Sequence, residues 1–69
     1  MAGLEIGDVV ELIAAHGGYE KGTSGAVLER PREGGVVIEL FDRGGYTIDV
    51  ATLPADKLRL VKRPDWRIS

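Results

Sequence analysis

The sequence predicts an all-β domain, and three observations carry that expectation. Its apolar residues come in short runs, Val9–Ile13, Ala26–Leu28, Val36–Phe41 and Leu58–Val61, rich in β-branched types and too short for helices. Within the runs, charged and apolar side chains alternate, as they do on a half-buried strand. Between them stand glycine pairs, Gly17-Gly18, Gly34-Gly35 and Gly44-Gly45, and the turn-forming Pro31.

Each element follows from its local pattern. Met1 to Gly7 is a lead-in whose Leu4 and Ile6 can tuck onto the domain. The first strand is expected over about residues 8–13, with Val10 and Leu12 inward because Glu11 belongs in water. Residues 14–22, with three glycines and no periodic apolar pattern, read as a long and mobile surface loop. The second strand covers about 25–30, with Val27 inward; Leu28 conflicts in parity with its neighbours, which points to a bulge or to a strand crossing between two sheets. Pro31 to Gly35 make a turn, since proline cannot continue a central ladder and Gly-Gly supplies positive φ. The third strand, Val36–Phe41, places Val36, Ile38 and Leu40 inward and leaves Val37 and Phe41 on an outer face that needs a cover. Asp42-Arg43-Gly44-Gly45 is a hairpin turn into a fourth strand at about 46–51, where Ile48 and Val50 alternate with Thr47, Asp49 and Ala51. Thr52-Leu53-Pro54-Ala55-Asp56 reads as a helical turn capped by Thr52, with Pro54 tolerated at its start. The last strand, 58–61, has Leu58 and Leu60 inward. Residues 1–61 thus form one barrel domain and 62–69 a tail that Pro64 takes out of the sheet.

Five short strands, with a long loop after the first and a helical turn before the last, have the order of an SH3-like barrel, whose closure removes exposed edges. The stretch Lys21-Gly22-Thr23-Ser24-Gly25-Ala26-Val27-Leu28 is the joint of this plan, a tight turn feeding a strand. Because it opens a strand and not a helix, phosphate-loop logic does not apply to it.

Composition narrows the function. A chain of 69 residues is one domain at most and buries only about 60% of its unfolded surface. With no cysteine it has neither disulfides nor a thiolate zinc site. Nine basic and eleven acidic residues give a net charge of -2, which argues against a general phosphate-neutralising nucleic-acid binder. No apolar run approaches the roughly 18 residues that span a bilayer, and the N-terminus lacks a signal-peptide pattern, so a cytoplasmic setting without membrane contact is expected.

Two resemblances rest on these residues. Gly7-Asp8-Val9-Val10 followed by Lys21-Gly22-Thr23-Ser24-Gly25-Ala26-Val27 resembles the first half of KOW-type SH3-like domains of ribosomal proteins and transcription elongation factors. Over residues 7–61, Asp8–Leu12, Lys21-Gly22 with Gly25, Val36–Leu40, Thr47-Ile48 and Thr52–Val61 are similar to a family of small bacterial barrels. That family is known only as a domain of unknown function, forty-nine twenty-six in its series. It implies the barrel fold, a bacterial cytoplasmic setting and small accessory or partner proteins, including, by analogy, the neutralising half of a toxin pair. It implies no catalytic residue. Valine at 36 departs from the family's tendency toward an aromatic there, and the tail lies outside the resemblance.

Candidate chemistry is sparse. His16, the single histidine, sits in a glycine-rich loop without the positioned partner a general base needs, and the ligand set for zinc is missing. Glu39 and Asp49, on outward faces of neighbouring strands, suit a solubilising surface better than paired acid–base work. No enzyme, metal or cofactor is expected. The aromatic residues Tyr19, Phe41, Tyr46 and Trp66 are instead the candidate partner-binding set, for a protein partner or self-association. The alternative is a nucleic-acid module using the basic end, Arg59, Lys62, Arg63 and Arg67, with Trp66 beside them.

Overall fold

The computed structural model describes residues 3–31 and 34–65. Five antiparallel strands form one sheet: β1 (Val9–Leu12), β2 (Ser24–Glu29), β3 (Val36–Phe41), β4 (Thr47–Leu53) and β5 (Leu58–Lys62). Their order is β4-β3-β2-β1-β5, with one 3-10 turn, Ala55–Lys57, before the last strand. This is the order expected for an SH3-like barrel. No helix of the described residues is long and apolar enough to cross a membrane.

Among the described residues no helical layer covers the sheet, and its inner face is buried by the sheet wrapping on itself. Val10, Leu12, Val27, Val36, Ile38, Leu40 and Leu53 make that core, with Leu4, Tyr19, Ala51 and Leu58 packed against it. Full burial of one such side chain contributes about 1.5–3 kcal/mol. The inward rows expected for β1 and β3 are the ones observed. The β2–β3 register shifts between Val27 and Glu29, so of the two readings of the Leu28 parity conflict the structure has the bulge, within a single sheet. Of the lead-in, Leu4 packs on the core and Ile6 stays exposed.

Hydrogen-bonded closure is not complete. The sheet order ends at β4 and β5, which pair only with β3 and β1 respectively among the described residues. Beside the β1–β5 pair, Asp8 adds a side-chain tie. This fully buried residue receives the Glu5 amide at 2.9 Å and Arg63 Nη1 at 3.3 Å on Oδ2, so the segment after β5 is tied to the start of β1.

Three local expectations change. Thr52 lies inside β4 and caps nothing; the 3-10 turn starts from Pro54 without a side-chain cap. Residues 14–22 fold back as a small hairpin: His16 and Tyr19 exchange both backbone hydrogen bonds at 2.9 Å across Gly17 and Gly18, whose φ values of 59° and 89° suit a tight turn. In β4, a register shift opposite Leu40 and Phe41 inserts an extra residue. Ala51 and Leu53 therefore face the core, while Ile48 and Val50 are exposed.

Candidate partner-binding surface at the β3–β4 hairpin

The hairpin that carries this surface is set by Asp42. Its Oδ1 accepts the Gly44 amide at 2.8 Å and the Tyr46 amide at 3.0 Å, while its own amide donates to the Tyr46 carbonyl at 2.9 Å. Gly45, at φ 85°, closes the turn with a bond to the Asp42 carbonyl. The turn throws the chain into β4 with its bulge, and the bulge releases the apolar side chains outward. Ile48 and Val50, on the edge strand of the sheet, are 53% and 52% exposed, and Tyr46, in the turn just before it, is 74% exposed.

Beside them lies a cleft of about 330 Å³ between the turn entering β2 and the end of the hairpin. Phe41 and Ile48 are its apolar lining; Glu20, Lys21, Asp42 and Arg43 supply charge, and Gly22-Thr23-Ser24 supply the facing backbone and hydroxyls. The turn is built by local bonds. Thr23 donates its amide (3.1 Å) and its hydroxyl (2.6 Å) to the Glu20 carbonyl, and Gly22, at φ 91°, donates to Leu12. Gly25 is needed for close approach: a Cβ there would lie 2.7 Å from the Glu39 carbonyl and run into Ile38 Cγ2. Among the described residues, neither Lys21 nor Arg43 forms an ion pair.

The candidate aromatic residues divide. Phe41 lines the cleft and Tyr46 is exposed in the hairpin turn, but Tyr19 packs on the core and donates its hydroxyl to Asp49 Oδ2. Trp66 lies outside the described residues. Asp49 is paired in register with Leu40, on the inward parity, and not on the outward face expected for it. It also accepts the Val50 amide at 2.8 Å. Those two bonds hold its carboxyl below the ordinary 3.8, the Tyr19 bond contributing most, against a smaller opposing effect of desolvation. The Tyr19 phenol is pushed above 10.0, first by that bond, then by desolvation and the Asp49 charge. Glu39 does face outward and accepts the Thr47 hydroxyl.

The basic residues are committed elsewhere. Arg59 donates from Nε at 3.0 Å and from Nη2 to Glu11 across the β1–β5 pair. Arg63 is held by Asp8, Lys62 is exposed, and Arg67 lies outside the described residues. His16 is exposed in its turn, and no group of three or more metal-ligating side chains converges among the described residues. Sequence reading assigned no role to Asp8, placed Asp49 on the wrong face and did not foresee the cleft; Phe41 and Tyr46 were its signals for this face.

No family model, curated protein or solved structure matches the chain.

Proposed function

We propose that this chain is a non-catalytic protein-binding domain that docks a partner protein on the β3–β4 hairpin and the outer edge of β4. A bacterial, cytoplasmic accessory role, as the resemblance to the uncharacterised barrels implies, belongs to the same proposal. The observation that carries it is the exposure of Ile48 and Val50 on the terminal strand and of Tyr46 in the turn that leads into it. Scattered apolar side chains on a surface are ordinary, but three exposed ones within five residues, with Ile48 also lining a cleft together with Phe41, are a concentration of the kind partners cover. Nucleic-acid binding at the basic end has less support, because Arg59 and Arg63 are occupied by Glu11 and Asp8.

The test pairs the native chain with an Ile48→Lys, Val50→Lys variant. Both sites are solvent-exposed, so the variant keeps its fold, seen as an unchanged melting curve. A protein captured by the native chain and lost by the variant, then reconstituted by calorimetry with the purified partner, supports the reading. Equal capture by both chains removes it.

A further inference from the structure

We propose that β4 is a dimerisation edge: it pairs antiparallel with β4 of a second copy of this chain, the twofold axis passing beside Ala51. The inference rests on the protein-binding reading and names the partner. β4 ends the sheet, and among the described residues its outer backbone meets no other strand. The two open edges differ in their protection. β5 carries the exposed cations Arg59 and Lys62, side chains of the kind that keep a further strand away. Over its seven residues β4 has no lysine, arginine, proline or glycine, and Ile48, Val50 and Thr52 are exposed on it.

Three observations select a second copy. The strand is complementary to itself where its ladder to β3 is regular, over Asp49–Leu53. Around Ala51, Val50 meets Thr52 of the second copy and Thr52 meets its Val50, which gives two β-branched pairs on the exposed face. Asp49, the strand's single charge, then faces Leu53 of the second copy and not its own mate, so no like charges stand opposite each other. The Val50 amide is also spent outside the ladder, on Asp49 Oδ1 of its own neighbour at 2.8 Å. Pairing exchanges that acceptor for a backbone carbonyl of the second copy, while Asp49 keeps the Tyr19 hydroxyl. Finally, the core is seven apolar side chains with no cysteine and, among the described residues, no metal-ligating cluster. Self-association is the remaining support for so small a core. The cationic β5 strands end the joined sheet on both sides, so assembly closes at two copies.

The experiment is sedimentation equilibrium of the intact chain from micromolar to millimolar concentration, with amide hydrogen exchange read at both ends of that range. The expected result is a monomer–dimer equilibrium in which the Val50 and Thr52 amides gain protection as the dimer forms. Val50→Lys and, separately, Thr52→Lys raise the dimer dissociation constant at least about tenfold, with the circular dichroism of a folded chain retained. A dimer whose β4 amides stay in fast exchange, or that both variants leave intact, overturns the edge pairing, and so do species that grow beyond the dimer. A native chain that stays monomeric throughout overturns the second copy as partner. If that monomer still captures a protein that the Ile48→Lys, Val50→Lys variant loses, the protein-binding reading stands; if it captures none, both fall.

Discussion

Gly25 and the Tyr19–Asp49 pair show how single residues position this surface. At Gly25 the backbone of β2 approaches β3 too closely for any side chain. Gly25→Ala forces β2 and β3 apart and is expected to cost about 1–3 kcal/mol, read as a lowered thermal midpoint. Tyr19 and Asp49 respond to pH from both sides. Asp49 has its folded pKa below 3.8, so its contribution is present above that value and is lost as pH falls through the lower folded value. Tyr19 has its folded pKa above 10.0, so its contribution is present below that value and is lost as pH rises through the raised one. Thermal midpoints of Tyr19→Phe measured across the acid range are expected to fall less steeply with acidification than those of the native chain. Parallel curves would mean that the bond does not contribute.

At the scale of elements, β3 was legible in full, because strong β-propensity and strict alternation agree over Val36–Phe41. At Leu28 parity signalled an irregularity, and the strand pairing decides that it is a bulge and not a crossing between sheets. Strand β4 was not. Its alternation reads cleanly in either register, and the choice is made by a bulge opposite Leu40 and Phe41, a feature of pairing and not of composition. That one shift moved Ile48 and Val50 outward and turned Asp49 toward the rim, so the exposed patch could not be read in advance. The Asp42 turn belongs to this scale. Asp42→Ala removes the acceptor for two amides and is expected to destabilise the hairpin by about 1 kcal/mol, with faster hydrogen exchange at Gly44 and Tyr46.

Across the whole molecule, long-range side-chain ties reinforce what the ladders build. Asp8 and Arg63 are 55 residues apart, and Tyr19 and Asp49 are 30 apart. Neither pair has a local pattern that announces it, because each depends on where the barrel brings its ends. Asp8→Ala leaves the Glu5 amide and Arg63 without that carboxylate; the expected cost is about 2 kcal/mol in denaturant unfolding, moderated because Arg63 is partly exposed. The architecture thus separates two tasks. One end of the barrel is clamped by Asp8, and the other holds an apolar strand and a cleft outside the core.

The most direct test of that separation is site-specific photocrosslinking in cells of the source, with benzoylphenylalanine placed at Tyr46 and, as the opposite edge, at Lys62. The account predicts a discrete adduct with another protein from position 46 and none from position 62. An adduct from position 62 alone, or crosslinks from position 46 to nucleic acid only, would contradict it.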